Sequence, residues 1–436
     1  HTAHAPNTTP GTLTTNYPNA HPDPDYLPLC ETVTDVFFLH FSHEHGDFYN
    51  LAVTINITGS NDAPVIAIVD VTGDIIEGTT LSDSGSITFT DADLNDLPTA
   101  TEATTSVTTT KVGGLTGPQQ TAIENAFTIS AAPGNTNNGT INWDYTIAET
   151  DLDFLAPGET VTAVFTITVD DGNIGGTDTQ DVTINITGSN DAPVITAVDV
   201  IGDITEGTTL TDSGSITFTD SDLSDLPTAT EVTTSVTPSA GLTLTAAQQT
   251  AIGNAFTISE ELTNTNNGTV NWDYTILESD LDFLAAGETV TAVFTITVDD
   301  LKGGTDTQDV TINITGSNEA PIIDSPAQSG AILETLDSAP AADADPVAAT
   351  GTITFDDVDL SDVPTASIIG TPSVTGGTAS LTPAQATALQ NNLSLGAVTD
   401  NPDGSGSVGW TYAVPNAEID FLSAGETVEL TFTVEV

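Results

Sequence analysis

An eleven-residue stretch that occurs three times constrains this chain more than any other feature. The stretch Thr-Ile-Asn-Ile-Thr-Gly-Ser-Asn-Asp-Ala-Pro begins at Thr54 and at Thr183, and it begins again at Thr311 with Glu319 in place of the aspartate. The three starting threonines are separated by 129 and 128 residues. A period of this length predicts a tandem array in which each repeat is a domain of ordinary size.

The period divides the 436 residues into four predicted parts. Residues 1–63 correspond to the second half of a repeat with a divergent sequence. Residues 64–192 and 193–320 are predicted to be complete β-sandwich repeats. Residues 321–436 are predicted to be a repeat that carries an insertion at 337–347 and lacks its last strand. The repeated stretch is interpreted as the last strand of one repeat followed by the linker to the next.

Each repeat contains several short segments in which apolar and polar residues alternate, which is the pattern of half-buried strands. Ile87 and Phe89, for example, are expected to face inward on one strand. One segment per repeat is helical in character, as at residues 244–256, and in the last repeat Thr382 and Pro383 fit the N-cap and the first helical position. We therefore predict an all-β protein of tandem Greek-key β-sandwiches, of cadherin or immunoglobulin type, with one short helix per repeat at a sheet edge.

The charge balance excludes several classes of partner. Two basic residues stand against 62 acidic ones, which gives a net charge of −60. Nucleic acids and anionic membrane surfaces are excluded because proteins bind both through Lys and Arg. A single cysteine cannot form a disulfide framework. No run of about 18 apolar residues occurs, so no segment is expected to insert into a membrane.

The residues around the second copy of the stretch resemble a known family. The sequence from Thr183 to Ile195, preceded by Asp170-Asp171 and by Thr177-Asp-Thr-Gln, is similar to the VCBS repeat. The resemblance covers essentially the whole chain, most strongly from about residue 51 onward. It implies cadherin-like domains of a large bacterial surface or biofilm protein, an extracellular location and calcium binding. The motif specifies a family and almost nothing about an activity.

By the same resemblance to cadherins, Ca²⁺ is expected where consecutive repeats meet. This ion takes roughly six to eight oxygen ligands from carboxylates, amides and backbone carbonyls. The expected ligands come from the end of a strand early in the repeat, from an acidic loop, from the linker and from a strand exit in the next repeat. They are Glu77, Asp151, Asp153, Asn190, Asp191, Asp220 and Asp222 at one junction, Glu206, Asp280, Asp282, Asn318, Glu319, Asp357 and Asp359 at the next, and Asp91 and Asp93 at the first strand exit.

A physical argument for a cation stands without the family. Carboxylates within about 4 to 6 Å of one another repel and raise one another's pKa, so a cation or protons must neutralise them. Two basic residues cannot do this for the whole chain. The alternative is that these acids are solvated turn residues that keep a secreted protein soluble. Their recurrence in register at strand exits favours calcium.

Other groups of residues have weaker interpretations. Three tryptophans could form a sugar-stacking platform, but they recur once per repeat in phase with apolar neighbours and are expected in the cores. They are Trp143, Trp272 and Trp410. His40, His43 and His45 could bind zinc or copper, or they could form a solvated loop. Cys30 could be a reactive thiol. No catalytic arrangement that breaks the repeat symmetry occurs, so no enzymatic activity is expected.

The predicted function is an extracellular structural or adhesive protein, a rod or filament of repeats that calcium makes rigid. Its expected partner is itself, through neighbouring repeats or other copies. Two alternatives stay open: a glycan-binding or protein-binding module of an adhesin, and a spacer of a secreted enzyme. A further hypothesis is that the missing last strand leaves an edge that a neighbouring subunit fills.

Overall fold

The computed structural model of the protein describes residues 31–42, 48–334 and 348–436. The chain divides into two compact units. The first contains residues 1–192, 220–226 and 301–304, and the second contains residues 193–219, 227–300 and 305–436. Cys30, His43, His45 and the insertion predicted at 337–347 lie outside the described residues, as does the side chain of His40. The predicted repeat boundaries stay predictions.

The first unit begins with a two-stranded antiparallel sheet of β1 (Thr32–Ser42) and β2 (Phe48–Thr58). The first sandwich follows, with the elements β3 (Val65–Asp70), β4 (Thr72–Ile76), β5 (Ser82–Thr90), β6 (Thr99–Thr109), α1 (Gly117–Asn125), β7 (Phe127–Ala131), β8 (Asn138–Thr146), β9 (Thr160–Asp170) and β10 (Thr177–Thr187). One sheet has the strand order β3-β5-β8-β7 and the other β4-β10-β9-β6. All pairs are antiparallel except β4 with β10.

The second unit contains a sandwich with the same plan. Its elements are β11 (Val194–Ala197), β12 (Ile201–Thr205), β13 (Thr211–Thr219), β14 (Thr228–Pro238), α2 (Ala246–Asn254), β15 (Phe256–Glu260), β16 (Asn267–Thr275), β17 (Thr289–Asp299) and β18 (Thr305–Thr315). The sheets have the orders β11-β13-β16-β15 and β12-β18-β17-β14. The parallel pair is β12 with β18.

A third sandwich completes the second unit. Its elements are β19 (Ile322–Ile323), β20 (Ala349–Asp356), β21 (Ser367–Gly377), α3 (Pro383–Gln390), β22 (Leu393–Asp400), β23 (Ser405–Tyr412) and β24 (Val428–Glu435). One sheet has the order β19-β20-β23-β22, and the other contains only β21 and β24 among the described residues. In all three sandwiches the chain passes repeatedly between the two sheets, which confirms the predicted all-β sandwich class.

The cores contain the residues that the alternating pattern placed inside. Ile87 and Phe89 are fully buried, and so are Trp143 and Trp272. The tryptophans are therefore core residues and not a surface platform. The Trp143 ring lies directly against Gly85 of β5, where a Cβ atom would come within 2.6 Å of the ring. The Trp272 ring lies against Gly214 of the corresponding strand in the same way.

The apolar segment that follows the linker forms two strands, and not one, in the first and second sandwiches. In the first sandwich it is split at Val71, so that β3 pairs with β5 while β4 crosses to the other sheet and pairs with β10. A Cβ atom at Gly73 would lie 2.7 Å from Ile184 and 3.1 Å from Trp143. Glycine at position 73 therefore lets β4 pack closely against Ile184 and Trp143 where the chain has crossed to the second sheet.

The three helices share one N-terminal arrangement. Thr116, Thr245 and Thr382 are the N-caps, and each forms a capping box with the glutamine three residues later. This confirms Thr382 as the N-cap and Pro383 as the first helical residue. The second helix lies within the predicted segment 244–256. No helix in the described part of the chain is long and apolar enough to cross a bilayer.

Candidate metal centres

Three groups of acidic residues that each lie within one of the two units combine close oxygens with buried carboxylates. The first, the Asp91 cluster, contains Asp91, Asp93 and Asp96, each of which offers an oxygen within 4.8 Å of the others. Strand β5 ends at Thr90, and the turn that follows is closed by a hydrogen bond from the Asp93 amide to Asp91 Oδ1, 2.9 Å long. Local turn chemistry of this kind, with an aspartate accepting from a backbone N–H two residues later, brings the three side chains together.

The segment before the first sandwich contributes to the Asp91 cluster. The Asp62 amide donates to Asp93 Oδ2 over 3.0 Å, and Asn61 Nδ2 donates to Asp171 over the same distance. Asp93 is completely buried, and its other oxygen, Oδ1, has no hydrogen-bond partner in the described part of the chain. Burial raises the pKa of the carboxyls of Asp91 and Asp96, and their acidic neighbours raise it further.

The second group, the Glu77 cluster, contains Glu77, Asp153 and Asp191. Glu77 directly follows β4 and is 1% exposed. Its Oε2 accepts a hydrogen bond of 2.7 Å from the Ser189 amide, which lies just after β10. The parallel pairing of β4 with β10 explains this contact, because it brings the ends of both strands to the same place. Glu77 Oε1 is buried and has no partner among the described residues.

Linker and strand-exit residues extend the Glu77 cluster. The Asp191 amide donates to Asp222 Oδ2 over 3.0 Å, and Asp222 itself donates its amide to Asp220 Oδ1. All of these residues belong to the first unit. Asp222 is completely buried. The same motif therefore occurs twice in this unit, since Asp62 and Asp93 make the equivalent contact in the Asp91 cluster.

Burial dominates the electrostatics of the Glu77 cluster. It raises the pKa of the Glu77 carboxyl to about 8, against the effect of the hydrogen bond from Ser189. The carboxylates of Asp191 and Asp222 add to this shift. Burial likewise raises the pKa of Asp222 to about 7. At neutral pH the cluster thus holds carboxyls that are poorly stabilised as anions by the protein alone.

The third group, the Glu206 cluster, lies in the second unit and contains Glu206, Glu278 and Asp282. Glu206 is 1% exposed, accepts from the Ser317 amide over 3.0 Å, and has a second oxygen without a partner among the described residues. Burial raises its pKa to about 7. The Glu319 amide donates to Asp359 Oδ2 over 2.9 Å, which repeats the contact of Asp191 with Asp222.

Glu319 differs from its counterpart Asp191 in where its carboxylate lies. Glu319 Oε1 accepts a hydrogen bond of 2.8 Å from the Ser317 hydroxyl, and Glu319 is not one of the three acids that meet in the Glu206 cluster. Asp357 and Asp359 are both buried, and Asp357 Oδ1 accepts from the Asp359 amide over 3.2 Å. Burial raises the pKa of both carboxyls, that of Asp359 to about 7.

Some predicted ligands lie outside the three groups. Asp151 and Asp280 end short 3-10 turns, and their charges add to burial in raising the pKa of the nearby Tyr145 and Tyr274. The side-chain amides of Asn190 and Asn318 donate to the backbone carbonyl of the following residue. Within the acidic loop, Asp153 and Asp282 therefore lie close to the buried glutamates, whereas Asp151 and Asp280 do not belong to these groups.

The prediction also missed acidic residues that belong to the groups. Asp96 is the third acid of its turn, and Glu278 is the first acid of its loop. Glu149, the counterpart of Glu278, also raises the pKa of Glu77, although burial, Asp191 and Asp222 have larger effects. The available signal was position, since Glu149 and Glu278 begin the same short turns in which the aspartates were chosen.

The buried oxygens without partners test whether a cation fits these groups. A buried carboxylate oxygen that accepts no hydrogen bond is costly, and each group contains at least one. The donors are carboxylates with neighbouring amide and carbonyl groups, which suits a hard cation such as Ca²⁺ better than a soft metal. The residues present therefore fit an oxygen-ligated divalent ion.

No protein-family model and no curated protein sequence matches this chain. Solved structures with similar architecture include zebrafish RET cadherin-like domains 1 to 4, at 11% identity and a TM-score of 0.20, covering 66% of this chain and 58% of that one. Protocadherin gamma B7 extracellular cadherin domains 1–4 match at 12% identity and a TM-score of 0.31, covering 92% of this chain and 83% of that one. Mouse cadherin-23 EC22-24 matches at 14% identity and a TM-score of 0.32, covering 86% of this chain and 98% of that one. These three structural neighbours are tandem cadherin-like domains.

Proposed function

We propose that this chain is an extracellular structural or adhesive protein of VCBS type, from a bacterial surface or biofilm matrix. Its repeats form a rod or filament in which Ca²⁺, held by the three acidic clusters, fixes each linker. The chain associates with other copies of itself. Glycans and cell-surface proteins would be partners only if one repeat acted as a binding module.

The observation that carries the proposal is the environment of Glu77. Glu77 is buried beside Asp153 and Asp191. One of its carboxylate oxygens accepts a hydrogen bond from the Ser189 amide, and the other has no hydrogen-bond partner among the described residues. Removing a charge from water without a partner costs several kcal/mol, so a carboxyl in this position is expected to be protonated or bound to a cation. The arrangement recurs at Glu206, which supports a shared purpose.

Linker geometry supports the role of the ion in holding the repeats. The linker residues Asp62, Asp191 and Glu319 each donate their amide to a buried aspartate at a strand exit. A cation that neutralises these aspartates would stabilise the linker contact as well as the carboxylates. Calcium removal is then expected to free the linkers, because the like charges would repel.

The test is thermal unfolding of the full chain in calcium and in chelator. We expect calcium to raise the melting temperature, and Glu77→Gln to lower the value in calcium by about 5 °C or more. Glu102→Gln is the matched control, since Glu102 is exposed on β6 and belongs to none of the clusters. Equal melting curves in calcium and chelator would refute the proposal, and so would equal effects of the two substitutions.

A further inference from the structure

The first and second sandwiches each have two edge strands where the chain passes from one sheet to the other. In the first sandwich β3 lies at the end of one sheet and β4 at the end of the other. Among the described strands β3 pairs only with β5, and β4 pairs only with β10. The second side of such a strand carries backbone amides and carbonyls that can pair with a strand of another chain.

Apolar side chains are exposed along these edges. Val65, Ile68 and Val69, on β3, are 61–62% exposed. In the second sandwich Val194 and Val198 are 59% and 63% exposed. The segments 65–70 and 194–199 contain no lysine, the residue that most often prevents pairing at an edge strand. A partner strand binds backbone groups together with β-branched apolar side chains, so these edges need another form of protection.

A carboxylate from the opposite sheet binds the edge of β3. Asp178 lies near the start of β10, and its Oδ2 accepts a hydrogen bond of 2.8 Å from the Ile66 amide. Its Oδ1 accepts a second bond of 2.8 Å, from the Thr179 amide. The two bonds fix the carboxylate, and the first removes the Ile66 amide from the groups that another strand could bind.

The reverse contact closes the edge of β4. Asp83 lies near the start of β5, and its Oδ2 accepts from the Asp74 amide over 2.9 Å while its Oδ1 accepts from the Ser84 amide over 2.8 Å. The Ile76 amide, two residues further along β4, donates to the Thr80 carbonyl over 2.9 Å. Each sheet thus supplies one aspartate that binds the edge strand of the other sheet.

The second sandwich repeats both contacts. Asp306 of β18 accepts from the Ile195 amide of β11 over 2.7 Å, and Asp212 of β13 accepts from the Asp203 amide of β12 over 2.8 Å. In both cases the amide of the following residue donates to the other carboxylate oxygen over 2.8 Å. The geometry is therefore a property of the repeat and not of one loop. The four acids that share it, here called the edge aspartates, are Asp83, Asp178, Asp212 and Asp306.

We propose that the edge aspartates prevent a second copy of the chain from adding a strand at β3, β4, β11 or β12. Each carboxylate occupies an amide that a partner strand would need, and it places a negative charge where an equally acidic copy would have to approach. Without the carboxylate, the β3 edge of one copy is free to pair antiparallel with the β3 edge of another, in an isologous contact that covers Val65 and Ile68. The same holds for β11.

The inference goes beyond the proposed function, because it concerns surfaces at which copies of the chain do not associate. Association of the proposed rod or filament must then use other surfaces. None of the edge aspartates is among the acids of the three clusters. Loss of calcium binding would leave the edge contacts unchanged, so the two proposals can fail separately.

Sedimentation velocity of the full-length chain in chelator tests the inference. The chain with Asp178→Ala and Asp306→Ala frees one edge amide in each sandwich, at Ile66 and at Ile195. We expect it to associate at a concentration about tenfold or more below that needed by the unmodified chain, because its edge amides no longer have to leave a charged acceptor in order to pair. Sedimentation equal to that of the unmodified chain would overturn the inference.

A charge-matched control uses the same two strands. Asp181→Ala and Asp309→Ala remove one carboxylate each from β10 and β18, but these carboxylates accept from side-chain hydroxyls, those of Thr166 and Thr295. We expect this chain to sediment like the unmodified one. Equal association of the two double variants would show that loss of charge alone causes it, and would contradict the role of the edge contact.

Two additional substitutions separate strand pairing from misfolding. Val69→Asp and Val198→Asp place a carboxylate at exposed positions of the two edges. Added to the chain with Asp178→Ala and Asp306→Ala, they are expected to restore the sedimentation of the unmodified chain, since like charges that face each other oppose pairing. Assemblies that persist would arise from misfolded chains and would overturn the inference.

Discussion

The second and third sandwiches share a strand order over most of their length but differ in how they are closed. In the second, the buried apolar residues form one continuous cluster that runs from Ile204 to Ile314. In the third they form two small clusters, one around Val408 and Trp410 and the other around Leu389 and Ile419. The difference coincides with the strands that correspond to β12 and β18, which are present in the second sandwich and not among the described strands of the third.

In the second sandwich two strands far apart in sequence cover the core together. β12 and β18 pair in parallel, and Ile204, Ile312 and Ile314 are buried. The short segment 331–334, which would correspond to the end of β12, forms no strand in the third sandwich. A buried glutamate such as Glu206 needs the same pair, because its carboxylate meets the backbone just after β18.

The largest expected difference concerns aromatic core residues. Phe294 is fully buried and stacks on Phe256 with ring centres 4.2 Å apart, so Phe294→Ala is expected to cost about 3–5 kcal/mol. Phe432 is half-buried, with its ring 5.7 Å from that of Tyr412, so Phe432→Ala is expected to cost about 1–2 kcal/mol. Hydrogen exchange of peptides from each sandwich gives the two opening free energies. Equal losses would contradict the contrast.

Next in size is the pH dependence without calcium. The pKa of Glu206 is raised to about 7 in the folded chain, above its value of 4.5 in the unfolded one. Between these pH values the folded state binds more protons, so its stability is fully present below about pH 4.5 and falls as the pH rises through 7. We expect the second sandwich to lose about 2 kcal/mol over this window, after allowance for screening by solvent.

Two matched variants test the origin of that loss. Glu206→Gln is expected to flatten the pH dependence of the second sandwich, as followed by thermal unfolding in chelator from pH 4 to pH 8. Glu334→Gln alters the residue that the sequence aligns with Glu206 in the third sandwich, where no strand leads into it. It is expected to leave the profile unchanged. A flat profile for the unmodified chain would contradict the assignment.

The helices should respond alike in both sandwiches, because their capping boxes are the same. Thr245→Ala and Thr382→Ala each remove a hydroxyl that accepts from a backbone amide, and each is expected to cost about 1 kcal/mol. Thr→Ser at either position keeps the acceptor and serves as the control. A much smaller loss of stability at Thr382 would show that the helix of the third sandwich is itself less stable than that of the second.

The smallest effect is expected from exchanging the linker acids. Asp191 belongs to the Glu77 cluster, whereas Glu319 accepts from the Ser317 hydroxyl. Glu319→Asp is expected to tighten calcium binding at the Glu206 cluster by about 0.5–1 kcal/mol, and Asp191→Glu is expected to weaken it at the Glu77 cluster by a similar amount. Calorimetric titration of calcium into each chain measures both. Changes of the same sign would contradict the role of side-chain length.

Much of the fold follows from the sequence because its signals are local. Period-2 alternation placed Ile87, Phe89 and the tryptophans inside, and Thr382-Pro383 marked a helix start. The split of the first strand at Val71 was not predictable in this way. Both halves have apolar residues at strand spacing, and the choice of sheet depends on partners more than a hundred residues away.

The candidate site shows the same limit at the level of side chains. The sequence identified the buried glutamates Glu77 and Glu206 and the strand-exit aspartates, because each follows a strand at a fixed distance. Within the acidic loop it could not separate Asp151 from Asp153, because that choice depends on how the short turn at 149–151 directs each side chain. Backbone amides that donate to carboxylates, such as that of Ser189, could not be predicted from residue type, because every residue except proline has one.

Equilibrium dialysis that counts bound calcium tests the acidic clusters as calcium sites. We expect the unmodified chain to bind calcium and a chain with both Glu77→Gln and Glu206→Gln to bind fewer ions or to bind them more weakly. A chain with Glu102→Gln and Glu231→Gln, both on exposed positions of β6 and β14, should match the unmodified chain. Absence of bound calcium would contradict calcium binding by the clusters, and so would the same number and affinity of bound ions in all three chains.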